Sequence, residues 1–471
     1  MNQQPYYLIS KTLVIIITAM VMTTTTLQAV NAAKESTWQP WEYSWDVFPS
    51  LYFAANPEGD YSDTQLEKLS KFQVVMIEFR QSQFLGEETG SGKWADGDEG
   101  LAASTQCQNL KEYCVENNKE VCPPCLTYRS GEWYGTMYPS QESYMRNNQD
   151  LFLTSTFDCD GFTDYPLDII NEPPLDSGID RCRPDFRLAG ARDYFVNTVI
   201  DTNVGNDDNV DGVFIDNGQS VACDNEMESS DLNFNQRGQY QQDQLVAYID
   251  AFTKLNDKGK YPILSTTNRY SSIETPLVPW GSDCPDPEEE NVSSLHEAGV
   301  AFARNFEFFM WNLGSTCQAQ IQNSILEAQA GVPLIVHTPY FRSGNGCLEG
   351  CFDDDDNRVN FGSMDSFLEF SIAAFLVAAG PGSYYSFSDM EDPDDEFGLG
   401  GWADSSWPYF PQYDTIQTGS PQGDAVASGN GKRFTREFSQ MSVMVDCDTG
   451  EYSLTIKSVT SPTTAPTSKL T

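Results

Sequence analysis

The sequence predicts an α/β chain closed as a (β/α)8 barrel, with large loop insertions and a small C-terminal β appendage. Three observations carry that expectation. Eight short apolar runs alternate with stretches of helical spacing, which is the pattern of parallel strands joined by helices. One of these runs, Asp211-Gly212-Val213-Phe214-Ile215-Asp216, is apolar between acidic ends and reads as a buried strand carrying a carboxylate out to a rim. The long polar insertions at 129–185, 217–236, 268–300 and 388–412 mostly follow predicted strands, the side on which barrel loops build active sites. An open doubly wound sheet is the structural alternative, but no glycine-rich loop after an early strand supports nucleotide binding.

The elements follow in order. Residues 33–46 are an aromatic, polar lead-in lying across the fold. Phe48–Phe53 is the first strand, Leu66–Ser70 the end of a short helix, and Phe72–Phe79 the second strand. Residues 106–119 have helical spacing, and Val121–Tyr128 is a third strand weakened by Pro123 and Pro124. A decorated loop, 131–185, precedes a helix over Phe186–Val199 and the fourth strand at 210–216. An amphipathic helix at 237–255 leads to strand five, Tyr261–Thr267, and strand six lies within Ala301–Trp311. The helix Cys317–Ala330, strand seven at Gly331–His337, a helix at 363–379 and strand eight from Gly382 to Phe387 complete the series. Three strand-like runs, 433–438, 441–446 and 451–456, form the appendage. The expected organisation is therefore a signal peptide (1–32), a barrel domain (33–412), a C-terminal β segment (413–456) and a disordered Ser/Thr/Pro-rich tail (457–471).

Charge and cysteine content bound the environment. Lys11 followed by the apolar run Leu13–Met22 is too short for a transmembrane helix and reads as an export signal, with small residues near Ala32 for processing. An uncleaved anchor is the alternative. The remaining chain is expected to be exported, without stable membrane insertion. Twelve cysteines beyond that segment argue for disulfides, whose connectivity cannot be read from spacing. Cys122-Pro-Pro-Cys125 is a lone CxxC pair and weak evidence for zinc or redox chemistry. Two histidines exclude a histidine-rich metal centre. The formal charge of −42 disfavours nucleic-acid backbones and anionic membranes as partners. Asn291-Val292-Ser293 is a sequon for glycosylation if exposed.

Glycosidic cleavage uses two carboxyl groups, one protonating the leaving oxygen and one attacking or activating water. Asp216 and Glu307 stand at or near the C-terminal ends of strands four and six, which share one rim of a barrel. They are the expected catalytic pair; the bland reading makes Asp216 a loop cap and Glu307 a surface residue. Glu78 ends strand two and is placed to bind a sugar hydroxyl, or to act as the acid in place of Glu307. Tyr128 and Arg129 after strand three, Asn268 and Arg269 after strand five, His337 and Tyr340 after strand seven, and Asp389 after strand eight are the expected substrate-binding residues. Each could equally be an ordinary loop residue. Trp133, Tyr134, Trp311, Trp402 and Trp407 offer faces for sugar stacking, or ordinary core material. Asp211 begins strand four and belongs to the opposite rim in a structural role. Asp353 to Asp356 read as a solvated loop, without the spacing of a recognisable calcium loop.

With Asp211–Asp216, Asn305-Phe306-Glu307, Gly419–Asp424, Arg433–Phe438 and Val443–Val445 in view, the chain resembles glycoside hydrolases with a TIM-barrel domain (the hypothetical glycosyl-hydrolase-like group). More distantly it resembles endo-α-1,4-polygalactosaminidase-like barrels. The resemblance covers roughly residues 48–456 on short, degenerate motifs. It implies a carbohydrate-active hydrolase with Asp216 as nucleophile or base and Glu307 as acid/base. The chain departs from the group in its Val445-Asp446-Cys447 ending, its acidic insertions and its cysteines. The expected function is secreted hydrolysis of a polysaccharide or oligosaccharide, with no cofactor required and a structural calcium allowed. The alternative, motivated by the acidity and the Ser/Thr/Pro tail, is a noncatalytic glycan- or calcium-binding surface or matrix protein on the same scaffold.

Overall fold

A computed structural model describes residue 41 and residues 43–56, 59–78, 101–131, 134–135, 139–153, 181–216, 232–266, 295, 298–306, 310, 315–341, 351–352, 358–359, 361, 363–390, 409–428 and 431–457. The segment read as an export signal, the sequon and residues 458–471 of the expected Ser/Thr/Pro-rich tail lie outside them.

Eight strands form the central sheet: β1 (Leu51–Ala54), β2 (Val74–Ile77), β3 (Cys125–Ser130), β4 (Gly212–Asp216), β5 (Tyr261–Thr266), β6 (Ala303–Phe306), β7 (Leu334–Phe341) and β8 (Tyr384–Met390). They lie side by side in chain order, and every pairing is parallel. The ring closes where Ser50 bridges Tyr385, with the Tyr385 amide donating to the Pro49 carbonyl at 2.9 Å. Carried once round the ring, the pairing register that starts at Tyr385 returns to β1 at position 58, whereas Tyr385 bridges Ser50. That stagger of eight residues is what a closed (β/α)8 barrel requires, and it rules out the open sheet.

Helices cover the barrel in the expected rhythm: α1 (Asp63–Leu69), α2 (Leu101–Glu116), α3 (Ala189–Tyr194), α4 (Phe234–Asp257), α5 (Ser315–Gln329) and α6 (Met364–Ala378). Their starts are written locally. Ser62 and Gln65 form a reciprocal capping box on α1, and Asn233 and Gln236 do the same on α4. The chain continues past α3 in wider turns over Phe195–Gly205, six residues beyond the helix end expected at Val199.

Strand alternation sorts the apolar residues into two layers. Leu51, Phe53, Val74, Met76, Leu126, Tyr128, Phe214, Tyr261, Ile263, Ala303, Ile335 and Tyr384 fill the lumen as one buried cluster. Their neighbours Val75, Ile77, Val213, Ile215 and Val336 join the clusters between strands and helices. Gly212 occupies a lumen position where a Cβ would sit 2.2 Å from the Tyr261 carbonyl oxygen. A larger residue there would push β4 away from β5.

Three features secure the periphery. Cys107 and Cys114, two turns apart on α2, bond Cys125 and Cys122 respectively, so the CxxC cysteines tie the strand entry to its helix. Asp211 accepts from Lys111 Nζ at 2.9 Å and from the Cys125 amide at 2.8 Å, a structural role at the N-terminal rim. The appendage is a four-stranded antiparallel sheet of β9 (Val426–Ser428), β10 (Arg433–Glu437), β11 (Met441–Asp446) and β12 (Tyr452–Ile456). Phe434, Val443 and Val445 belong to the same buried cluster as Phe370, Ala374 and Val377 of α6, and a Cys317–Cys447 disulfide joins the appendage to α5.

The lead-in closes the N-terminal mouth of the barrel. Trp41 Nε1 donates to Tyr384 Oη at 2.7 Å, and its ring meets Tyr261 edge-on with centroids 4.8 Å apart. Tyr43 packs on Tyr384, while Trp45 contacts Phe438 of the appendage. Among the described residues these aromatic side chains fill the N-terminal end of the lumen, and the polar side chains lie toward the opposite rim.

Candidate active site

At that opposite, C-terminal rim the apolar lumen gives way to polar side chains. With a stagger of eight, inward residues of alternate strands share levels. Phe53, Tyr128, Ser265 and His337, on β1, β3, β5 and β7, occupy one level by register. Glu78 and Asp216, on the exits of β2 and β4, occupy the level above. Ring contacts agree: Phe53 lies 5.8 Å from His337 and 5.0 Å from Phe214, and Tyr128 lies 5.8 Å from Phe214. Two carboxyl groups therefore stand over a largely aromatic floor.

Asp216 is half-buried and is the last residue of β4. Tyr128 Oη donates to its Oδ2 at 2.6 Å. The Gly131 amide donates to the Asp216 backbone carbonyl at 2.8 Å, extending the β3–β4 contact beyond the Ser130–Asp216 pair. Glu78 is buried at 2% exposure, and its amide continues the β1–β2 ladder by donating to Ala54 O at 3.1 Å. Burial lifts the Tyr61 phenol far above its ordinary value, and the Glu78 charge adds to that rise.

His337 is enclosed in the lumen wall beside Ser386, its register partner on β8. Burial disfavours its charged form and pushes its pKa down to about 3, so the ring is neutral at ordinary pH. A neutral imidazole can donate or accept a hydrogen bond without adding charge beside the carboxylates.

The remaining expected residues divide. Arg129 is 1% exposed, but alternation puts it on the face of β3 opposite Tyr128, paired with Ile215 of the outer cluster. Tyr340 and Asp389 lie within β7 and β8 rather than after them, as register partners. Glu307, Asn268 and Arg269 lie outside the described residues, as do Trp133, Trp311, Trp402, Trp407 and Asp353 to Asp356. Among the described residues no group of three or more His, Cys, Asp or Glu side chains is arranged to hold a metal ion.

Two lumen residues were not anticipated. Asn305 is fully buried, and its Nδ2 donates to Ser265 Oγ at 3.3 Å. Their signal was a short polar residue inside an apolar strand run, which alternation alone would have turned inward. Arg304 was also missed; it faces the other way and pairs with Glu327, fixing β6 to α5.

No family model and no curated protein matches the chain. Among solved structures it is similar to sucrose 6F-phosphate phosphorylase from Thermoanaerobacter thermosaccharolyticum, with 9% identity over 87% of this chain and 95% of that one, at a TM-score of 0.39. A β-glucosidase from Thermotoga maritima in complex with azafagomine aligns at 10% identity over 73% and 83%, with a TM-score of 0.37. At these values the likeness carries no inference about activity. No described helix is long and apolar enough to cross a membrane.

Proposed function

We propose that the chain is a glycoside hydrolase acting on a polysaccharide or oligosaccharide through paired carboxyl groups at the C-terminal rim. The observation that carries the reading is Asp216, half-exposed at the lumen mouth, with one carboxylate oxygen bonded to Tyr128. In this role the Asp216 carboxylate either attacks the anomeric carbon or takes a proton from the attacking water. A second carboxylic acid gives its proton to the departing glycosidic oxygen.

Glu307 is the proposed acid. It stands two positions after Asn305, the interval that separates Phe214 from Asp216. Glu78 is the alternative acid, since it shares the rim level with Asp216. His337 and the aromatic floor of Phe53 and Tyr128 would contact the sugar. Asn268 and Arg269 are proposed as further substrate ligands from the segment that follows β5. Disulfides at Cys107–Cys125, Cys114–Cys122 and Cys317–Cys447 support an oxidising, extracellular setting.

The test is a panel of polysaccharides and oligosaccharides incubated with the mature secreted protein, with products read by mass spectrometry beside Asp216→Asn. Products from the wild type alone support hydrolysis at this site. No products across α- and β-linked neutral, amino and acidic glycans sink the reading.

A further inference from the structure

Asp216 is held at two points, its carboxylate from inside the lumen and its backbone from outside the barrel. Inside the lumen, Tyr128 Oη donates to Oδ2 at 2.6 Å. Outside, on α4, Gln244 Nε2 donates to Tyr248 Oη at 3.1 Å, and Tyr248 Oη donates to the Gly131 carbonyl at 3.3 Å. Gly131 in turn donates its amide to the Asp216 carbonyl at 2.8 Å. The packing at this joint leaves no slack: a Cβ on Gly131 would lie 2.6 Å from Tyr248 Oη, 2.8 Å from Ile215 Cγ2 and 3.2 Å from Asp216 O. Tyr248 is 2% exposed and lies in the helix-side cluster, so it does not reach the lumen.

We infer that Tyr128 and Tyr248 are positioning residues for Asp216, the first orienting its carboxylate and the second fixing its backbone through Gly131. This inference rests on the glycoside-hydrolase reading for its catalytic meaning, though the clamp itself is a property of the fold. It also orders the roles at the rim. A phenol that donates its proton requires an acceptor, and the ionised carboxylate is the better one. The bond thus favours the ionised form of Asp216 and its role as nucleophile or base, with the proton for the leaving group supplied by another residue. A glycosidic transition state tolerates little misplacement of that group, so loosening either anchor acts on the chemical step.

Tyr128→Phe and Tyr248→Phe each remove one hydroxyl while keeping the ring, with folding checked by circular dichroism. Loss of a hydrogen bond to a charged group predicts a fall in kcat of about 10–100-fold for Tyr128→Phe. Tyr248→Phe should lose roughly 3–10-fold, as expected for one neutral hydrogen bond. KM should stay within about twofold in both, since neither change removes ground-state binding. An independent readout needs no substrate: coupling of a carbodiimide-activated amine to Asp216, followed by peptide mass spectrometry. Labelling should rise severalfold in Tyr128→Phe. Unchanged labelling, or a raised KM with kcat retained, overturns the positioning role and makes the Tyr128 hydroxyl, like the ring, a contact to substrate. If the wild type cleaves no glycan, labelling still decides the clamp, and only the hydrolase reading falls.

Discussion

The guanidinium of Arg436, on appendage strand β10, donates to the main-chain carbonyl of Ala379, just past the C-terminal end of α6. The same Nη1 reaches Leu376 O at 3.2 Å and Val377 O at 3.3 Å, and Nε reaches Gly423 O at 3.2 Å. A helix end presents unpaired carbonyls and partial negative charge, so a cation here serves as its cap. Burial pushes the Arg436 pKa down, opposed by the nearby Asp424 carboxylate. One side chain thus completes a barrel helix from a separate sheet.

Replacing Arg436 with Met should therefore destabilise the barrel as well as the appendage. Leaving those carbonyls unpaired predicts a loss of about 2–3 kcal/mol. Equilibrium urea unfolding checks it, and Arg436→Lys should recover only part, because one ammonium nitrogen can stand in for Nη1 at the helix carbonyls but not also for Nε at Gly423 O.

The Cys317–Cys447 bond spans 130 residues, the longest loop among the described disulfides. Loop-closure entropy predicts a loss of roughly 3–5 kcal/mol when both cysteines become Ser. Thermal unfolding of the double variant should show this loss. A barrel of unchanged Tm would mean that the apolar interface alone holds the appendage.

His337 makes stability depend on acid. Its pKa is about 3 in the fold against an ordinary 6.5, so between those values the unfolded chain binds a proton that the folded chain does not. The stabilisation is complete above pH 6.5 and is lost as the pH falls toward 3, by about 1.4 kcal/mol per unit within that window. Urea unfolding at pH 7 and pH 4.5 should show a smaller decline for His337→Gln than for the wild type.

Asp216→Asn keeps the size of the side chain and removes its charge. It should lower kcat by roughly 1,000-fold or more while the Tm changes little, because the residue is half-exposed. Assay on whichever glycan the wild type cleaves, beside thermal unfolding, separates lost chemistry from lost folding.

Much of the barrel was legible because it is local. Runs such as Val74–Ile77 and Val213–Ile215 are short and apolar, whereas the caps at Ser62 and Asn233 went unread, and α4 starts at Phe234 rather than at the expected 237. Asp216 was legible for the same reason, as a carboxylate ending an apolar run. Sequence spacing ends this strand at His337; the strand β7 continues to Phe341, with Pro339 opposite Ser388. The barrel's stagger, the pairing of Cys107 with Cys125 and the bond from Tyr128 to Asp216 were not legible. Each joins residues whose separation in sequence carries no periodic mark. Arg129 shows the remaining ambiguity: adjacent to Tyr128, it falls on the other face once the alternation is fixed.

For a chain made from its N-terminus, the aromatic plug is among the first parts of the fold to appear, and it must wait for its partner. Trp41 bonds Tyr384 across 343 residues, and at typical synthesis rates that interval lasts tens of seconds. Throughout it Trp41, Tyr43 and the first strand have no lumen to enter and no eighth strand to lean on. Their exposed rings make this segment a natural client for a holding chaperone, and nascent chains halted before position 384 should retain that chaperone.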